Sequence, residues 1–219
     1  MRVAARRRIV ATMRYADRTA AGHALAGNLG HQEPAVVVLA LPRGGVPVAV
    51  PVAASLDAEL DVLVIRKLGV PWQPELAMGA IGPGGVRVLQ QDVIAGARVA
   101  PAEIERAARL QAVECERQEK LYRAGRPPLD LAGRTAVLVD DGLATGASML
   151  AAIRVARALG ADKIIAAAPV GATDTIRRLG VEADEVVVDQ AVRAFRAVGN
   201  YYYNFRQVSD DEVLRLLRR

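Results

Sequence analysis

The sequence predicts one α/β domain built on a doubly wound, mostly parallel sheet. Short apolar runs rich in β-branched residues alternate with helix-length stretches, which is typical of parallel βαβ units. The runs are nearly continuous, as expected for strands that are buried on both faces. The 219 residues, 52% hydrophobic and 24% charged, suit one folded domain with a full core. We therefore expect a single domain over residues 1–219, with its core at about 33–190.

Five runs are predicted to be strands, at 35–41, 61–68, 135–141, 163–170 and 184–190. Helices are predicted at 45–57, 101–123, 146–160, 173–180 and 210–217. Pro47 suits the first turn of its helix, and Pro51 is expected to kink it. The highly charged helix at 101–123 has Pro101 in its first turn, where a missing amide hydrogen costs nothing.

Residues 69–91 break this rhythm with three prolines and five glycines. The segment is interpreted either as a long flexible loop or as a β-excursion away from the main sheet. Long insertions in compact α/β domains are often functional lids. The other interpretation is a mobile surface loop.

Charge and composition limit the kinds of molecule that the protein is expected to bind and the compartment in which it is expected to work. The net charge of +5 favours an anionic partner, either a phosphorylated small molecule or nucleic acid. Nucleic acid is not expected, because the basic residues form no extended tract with interleaved aromatics. The basic N-terminus has too short an apolar stretch for a signal peptide, and no run reaches membrane-span length, so a cytoplasmic protein without a membrane segment is expected. One cysteine and two histidines leave little for a zinc centre.

The most informative segment is AVLVDDGLATGAS at 136–148, where an apolar strand ends in two carboxylates. The small residues that follow open a helix, so consecutive backbone amides and the helix dipole would suit a phosphate. Asp140 and Asp141 would repel a bare phosphate, whereas the hydroxyls of a phosphorylated sugar can donate hydrogen bonds to them. Neither a Walker A loop nor a dinucleotide-binding loop is present here. A ribose 5-phosphate fits the pairing.

The segment resembles the signature by which type I phosphoribosyltransferases bind PRPP (5-phosphoribosyl 1-diphosphate). The resemblance implies the type I phosphoribosyltransferase fold, with a small hood at about 1–30 and 191–219 and a flexible loop at about 69–91. It implies that Asp140 and Asp141 bind the ribose hydroxyls. It also implies that the 5-phosphate lies in the turn formed by Ala144, Thr145, Gly146, Ala147 and Ser148.

Two further segments match the family. LPRGGVP at 41–47 looks like its diphosphate loop, in which Arg43, Gly44 and Gly45 would bind PRPP, with a cis peptide expected between Arg43 and Gly44. Arg66 and Lys67, expected at the end of the second strand, would also neutralise the diphosphate. The catalytic residues implied are Arg43, Lys67 and Asp141, with Mg²⁺ on PRPP and Asp141 contacting it through water.

The loop at 69–91 would close over PRPP and exclude water. Glu75 in this loop is either a proton shuttle or a plain surface residue. Trp72 either packs on the lid or contacts a second subunit, a homodimer being the habit of the family. In the hood, Phe195 and the tyrosines at 201–203, Tyr201 first among them, are candidates for stacking on a base, although they would equally suit a core.

The acceptor base is left open. Ala144 stands where hypoxanthine-guanine enzymes have an aspartate, and residues 76–86 lack the acid that adenine enzymes use. The pattern is more similar to the uncharacterised branch of predicted phosphoribosyltransferases. The expected reaction is transfer of the 5-phosphoribosyl group to a nitrogenous base, as in nucleotide salvage. The alternatives are a PRPP-sensing regulator that binds nucleic acid or a partner protein, and a generic phosphosugar-binding domain.

Overall fold

The computed structural model describes residues 13–30 and 35–218, and the predicted doubly wound α/β fold is confirmed. The strands are β1 (Val36–Ala40), β2 (Glu59–Val62), β3 (Arg66–Val70), β4 (Gln73–Ile81), β5 (Arg87–Leu89), β6 (Thr135–Val139), β7 (Lys163–Ala172) and β8 (Glu185–Val192). The helices are α1 (Arg18–Ala26), α2 (Gly45–Leu56), α3 (Gln91–Ala97), α4 (Pro101–Tyr122), α5 (Ala147–Ala158), α6 (Thr173–Leu179) and α7 (Asp210–Leu217).

The main sheet has the strand order β2-β1-β6-β7-β8, and every neighbouring pair is parallel. From β1 the chain moves outward to β2, whereas from β6 it moves to β7 on the other side. The order of the strands therefore reverses between β1 and β6. In open α/β sheets, ligands bind beyond the carboxyl ends of the strands at such a switch point.

The core lies on both faces of this sheet. The inner strands β1, β6 and β7 are almost wholly buried, which explains why the sequence shows continuous apolar runs there. Helix α2 covers one face and α5 the other. Helix α2 continues through Pro51 as one helix, and Gly22 of α1 packs against it so closely that a Cβ would lie 2.4 Å from the Val48 carbonyl oxygen.

The prediction of a single strand at 61–68 is wrong, because these residues are divided between two strands in two different sheets. Strand β2 ends at Val62, and Leu63 makes a last bond from its amide to the Ala40 carbonyl, 3.0 Å away. The chain then leaves the main sheet, and Arg66 begins β3. Residues 62–65 are all apolar and all largely buried, so the sequence pattern hides the boundary. Arg66 and Lys67 therefore do not lie at the end of a strand of the main sheet.

A second sheet, antiparallel with the order β3-β4-β5, accounts for most of the segment at 69–91. Of the two interpretations of that segment, the β-excursion is correct. The ladder is irregular at Gly69, where a Cβ would lie 2.4 Å from the Pro74 carbonyl oxygen. This sheet lies between α4 and α5, and its strands contact both helices.

The two ends of the described chain meet over the main sheet. Tyr15 pairs with Tyr202 in a parallel bridge, and the Tyr15 amide donates to the Tyr201 carbonyl at 2.8 Å. Helix α1, which the sequence reasoning did not predict, is capped by Asp17, whose carboxylate accepts from the Ala20 amide. The division into core, loop and hood stays a prediction, and the part of the hood at 1–12 lies outside the described residues.

Within residues 13–30 and 35–218, no helix is long and apolar enough to cross a membrane.

Candidate functional site

The loop after β1 packs directly on the end of β6. A Cβ added to Gly44 would lie 2.2 Å from the Asp141 Oδ2 atom, and one added to Gly45 would lie 2.4 Å from the Val139 carbonyl oxygen. Only glycine allows this approach. The loop contains one cis peptide, between Pro42 and Arg43, so the expected cis bond at Arg43–Gly44 is wrong by one residue. The two segments that the sequence singled out therefore lie side by side at the switch point.

Asp140 and Asp141 lie at the carboxyl end of β6, as predicted, but their surroundings differ. Asp140 is partly exposed, and its Oδ1 accepts from the Asp141 amide at 2.8 Å. Asp141 is ion-paired with Arg18 of α1, whose Nε and Nη2 both lie 2.8 Å from Oδ2. The Tyr202 hydroxyl donates to the Asp141 backbone carbonyl at 2.6 Å. Both ends of the chain thus contact Asp141.

The pair is electrostatically unfavourable without a ligand. Burial, followed by the negative charge of Asp141, raises the pKa of Asp140 to about 8. Burial also raises the pKa of Asp141, although the Arg18 guanidinium opposes that change. Removal from water therefore outweighs the contacts that these carboxylates make. Ligand hydroxyls or a cation would supply the missing partners.

The turn at 144–148 presents free amides. Within the described residues, the amides of Ala144, Thr145, Gly146 and Ser148 donate no hydrogen bond. The Ala147 amide makes only a long contact of 3.4 Å with the Thr145 hydroxyl. Gly146 has a φ of +69°, a conformation that glycine adopts without strain, and it precedes the first turn of α5. Such a turn at a helix N-terminus can bind a phosphate.

Helix α6 holds this turn by its carbonyl side. The buried Thr175 hydroxyl donates to the Ala144 carbonyl at 2.6 Å, and the Arg178 guanidinium donates to the Thr145 carbonyl. The carbonyls of Ala144 and Thr145 therefore already accept hydrogen bonds from α6, and the amides of the turn stay available to a ligand. This arrangement orients the donors before any ligand arrives.

A basic cavity of about 390 Å³ opens beside the loop after β1. It is lined by Pro42, Arg43, Ile65, Arg66, Arg117, Gln118, Tyr122 and Asp210. Three guanidinium groups from three separate elements meet here, so the cavity suits an anion such as diphosphate. Lys67, also predicted to bind diphosphate, lies in β3 with an exposed side chain.

Asp210 links the cavity to the last helix. Its Oδ1 accepts from the Tyr122 hydroxyl at 2.5 Å and lies 3.5 Å from Arg43 Nη1. Burial, together with the hydrogen bond to Asp210, raises the pKa of Tyr122. The Arg43 side chain is therefore placed by contacts from α7.

Two of the candidates for stacking on a base, Phe195 and Tyr201, contact each other. The rings of Phe195 and Tyr201 are stacked with centroids 5.1 Å apart, and Tyr201 is only 7% exposed. They pack with Tyr15, Tyr202 and Val198 in a small cluster over the end of the main sheet. Their role in binding a base stays a prediction. Glu75 and Trp72, at the tip of the second sheet, are exposed.

Asp140 and Asp141, the acid pair, offer hard oxygen ligands of the type that Mg²⁺ prefers. Burial raises the pKa values of both carboxyls, and a nearby positive charge would lower them again, so a cation fits their chemistry. Residues 13–30 and 35–218 contain no cluster of three or more acid, histidine or cysteine side chains able to hold a metal ion. A magnesium ion here would therefore depend on oxygens of the substrate and water.

The comparison with protein families decides the classification. The phosphoribosyl transferase domain model matches residues 16–206, which includes both loops and the acid pair. The chain belongs to the phosphoribosyltransferase family. The resemblance stated from the motifs is thereby confirmed.

Relatives in other organisms agree. Two Mycobacterium tuberculosis proteins, from strains CDC 1551 and H37Rv, are provisionally named phosphoribosyl transferases and are 53% identical over 204 residues. That match covers 93% of this chain but 46% of each relative, so the chain spans about half of their length. The crystal structure of TT1426 from Thermus thermophilus is 44% identical, with a TM-score of 0.84 over 94% of this chain and 98% of that one.

Sequence reasoning missed several residues of the site, namely Arg18, Arg117, Gln118, Tyr122 and Asp210. They come from α1, α4 and α7, far from the motifs along the chain. No local pattern marks them. A weak signal was available for α4, because a long charged helix is an unusual insertion in this fold.

Proposed function

We propose that this chain transfers the 5-phosphoribosyl group of PRPP to a nitrogenous base and releases diphosphate. The observation that carries the proposal is the acid pair beside a turn of free amides at the switch point of the sheet. A phosphorylated sugar is the ligand that presents hydroxyls to carboxylates and a phosphate to amides at the same time. A ribose-phosphate pyrophosphokinase of Pyrococcus furiosus is 36% identical over 66 residues, or 29% of this chain, which supports the ribose-phosphate part of the proposal.

In this proposal each part of PRPP has its own contacts. The ribose hydroxyls donate to Asp140 and Asp141, and the 5-phosphate accepts from the turn at 144–148. The diphosphate lies by Arg43, Gly44 and Gly45 and extends into the basic cavity toward Arg66.

The reaction follows from this placement. A ring nitrogen of the base attacks C1 of the ribose, the bond from C1 to the diphosphate oxygen breaks, and its electron pair leaves with the diphosphate. The ring nitrogen gives up its proton to solvent. The configuration at C1 inverts. Arg43, Arg66 and Lys67 stabilise the charge that develops on the leaving group. The second sheet would form the lid that keeps water from C1.

Mg²⁺, bound with PRPP, would neutralise part of the diphosphate charge, and Asp141 would hold one of its water ligands. Asp141 serves that role in its ionised state.

We propose that the acceptor enters beneath the hood, near Phe195 and Tyr201, and that the product is a nucleotide. We also propose a homodimer, with the exposed Trp72 at the contact. Sedimentation of the wild-type chain and of Trp72→Ala tests this, and a wild-type monomer contradicts it.

The transfer is tested with radiolabelled PRPP, Mg²⁺ and a panel of purine and pyrimidine bases. Diphosphate release that requires a base supports the transferase. Tight PRPP binding without turnover with any base would instead support a PRPP sensor. Failure to bind PRPP at all contradicts both.

A further inference from the structure

The two aspartates of the acid pair are not equivalent, because only one of them is held by a buried arginine. Arg18 is 9% exposed, although arginine is rarely buried without a partner. Its Nε and Nη2 both contact Asp141 Oδ2 at 2.8 Å, and its Nη1 donates to the Arg206 carbonyl at 2.9 Å. All three nitrogens of the Arg18 guanidinium therefore have a partner within the protein.

The surroundings of Arg18 fix its direction. Its guanidinium carbon lies 3.9 Å from the centroid of the Phe205 ring and 6.0 Å from that of Tyr202. A guanidinium over an aromatic face is attracted to it, more strongly when water is excluded. Arg18 therefore has few alternative rotamers open to it.

Asp141 is held from three sides. Arg18 binds its Oδ2, the Tyr202 hydroxyl binds its backbone carbonyl, and the Cα of Gly44 lies against the carboxylate. By contrast, the only contact made by the side chain of Asp140 within the described residues is to the next backbone amide. Asp141 Oδ2 and Asp140 Oδ1 are thus engaged by the protein, and within the described residues the other two carboxylate oxygens accept no hydrogen bond.

We propose that Arg18 is a positioning residue for ribose binding. It fixes the carboxylate of Asp141 and cancels one of the two adjacent negative charges. Without it, two neighbouring carboxylates would face a ligand that is itself an anion. This inference rests on the proposed function, since it assigns the ribose to the acid pair.

Arg18 also joins the hood to the sugar site. It lies in α1 and contacts the C-terminal segment through Arg206 and Phe205, while its other end contacts the acid pair. A displaced hood would release Asp141. The orientation of the acid that binds the ribose therefore depends on closure of both chain ends over the sheet.

The test compares two ligands that use different halves of the site. Ribose 5-phosphate needs the acid pair and the turn, whereas inorganic diphosphate needs the basic cavity. In Arg18→Met, the affinity for ribose 5-phosphate should fall about tenfold or more, as expected for losing a charge-assisted contact, while that for diphosphate stays unchanged. Arg18→Lys should restore part of the loss, because it keeps the charge without the planar fork.

Tyr15→Phe is the matched control for a loosened hood. The Tyr15 hydroxyl lies 2.7 Å from Asp189 Oδ2 and 2.9 Å from the Pro169 carbonyl, so this variant removes another tether between hood and body without touching Asp141. It should lower the melting temperature but not the affinity for ribose 5-phosphate. Titration calorimetry on the full chain, with thermal unfolding recorded for each variant, measures both.

Three outcomes overturn the inference. They are an unchanged affinity for ribose 5-phosphate in Arg18→Met, an equal loss in Tyr15→Phe, and an equal loss of diphosphate affinity. A wild-type chain that binds neither ligand contradicts the proposed function itself, and the inference falls with it. If the wild-type chain binds both ligands and Arg18→Met changes the two affinities equally or not at all, the inference alone is overturned and the proposed function stands.

Discussion

Two buried carboxylate sites in this molecule, Asp61 and the acid pair Asp140 and Asp141, differ in how many hydrogen bonds and ion pairs their oxygens make. Asp61 of β2 and Arg123 after α4 have side chains only 3% and 6% exposed. Arg123 donates to both oxygens of Asp61 at 3.0–3.2 Å, and Arg126 adds a contact at 3.3 Å. The Val62 amide also donates to Asp61, at 2.7 Å.

The acid pair at the end of β6 is the opposite case. Within the described residues, the Asp140 side chain accepts only from the Asp141 amide, and burial raises its pKa well above the ordinary range. A closed network with every oxygen occupied stabilises a fold, whereas an open one keeps capacity for a ligand. The difference separates structural from functional carboxylates within one small domain.

The largest effect is expected from breaking the closed pair. Arg123→Met leaves Asp61 buried and without its main partner, which should lower the free energy of unfolding by about 3–5 kcal/mol. Urea unfolding measures the change. The control is Arg134→Met, which breaks an exposed pair with Glu59 and should cost less than about 1 kcal/mol. Equal losses in the two variants would remove the distinction drawn between closed and exposed pairs.

The open pair should respond in binding rather than in stability. The double substitution Asp140→Asn and Asp141→Asn should weaken PRPP binding by about a hundredfold or more, since two charge-assisted contacts to the ribose are lost. In the single variant Asp140→Asn, which leaves the ion pair between Arg18 and Asp141 intact, the free energy of unfolding should fall by no more than about 1 kcal/mol. Calorimetry with PRPP tests the first claim and urea unfolding the second.

Asp162→Asn is the control, because Asp162 is exposed at the amino end of β7, opposite the site. It should leave both quantities unchanged. PRPP affinity that survives the double substitution would show that the acids do not bind the ribose.

A smaller effect is expected from crowding the acid pair. Gly44→Ala would place a Cβ only 2.2 Å from the Asp141 Oδ2 atom, which is closer than van der Waals contact allows. The backbone itself suits alanine, because the φ of Gly44 is −60°. The carboxylate must shift, so PRPP affinity should fall about tenfold and stability by about 1–2 kcal/mol. Gly27→Ala has a similar φ and its nearest contact at 3.5 Å, and it should be neutral in both assays. Wild-type affinity in Gly44→Ala would mean that the position of Asp141 is not critical.

The last effect concerns the dependence of stability on pH. Because the folded protein raises the pKa of Asp140 from 3.8 to about 8, the fold holds its proton more tightly than the unfolded chain does. The contribution of Asp140 to stability is therefore greatest below its ordinary pKa and is lost as the pH rises through about 8. Urea unfolding without ligand or metal, at about pH 5 and about pH 8, should show wild type losing stability relative to Asp140→Asn. A pH-independent difference between the two proteins contradicts this.

The acid pair and the phosphate turn were predictable because they are local. An apolar strand, two carboxylates and a turn of small residues follow one another without interruption at 136–148, so neighbours in sequence are neighbours in the site. The five predicted runs gave the parallel sheet for the same reason, with one exception. The run at 61–68 was misassigned, because burial on both sides of the boundary gives apolar residues whichever sheet they join.

The sequence by itself determined the α/β class, the placement of the aspartates at a strand end and the amide-rich turn, since each depends on residues that are close together along the chain. Only the tertiary structure showed that Arg18 holds Asp141, that α4 and α7 line the basic cavity, and that residues 66–89 form a separate antiparallel sheet. The reason is physical. These contacts join residues far apart along the chain, such as Arg43 and Asp210, and no periodicity or local propensity encodes which distant side chains a folded core brings together.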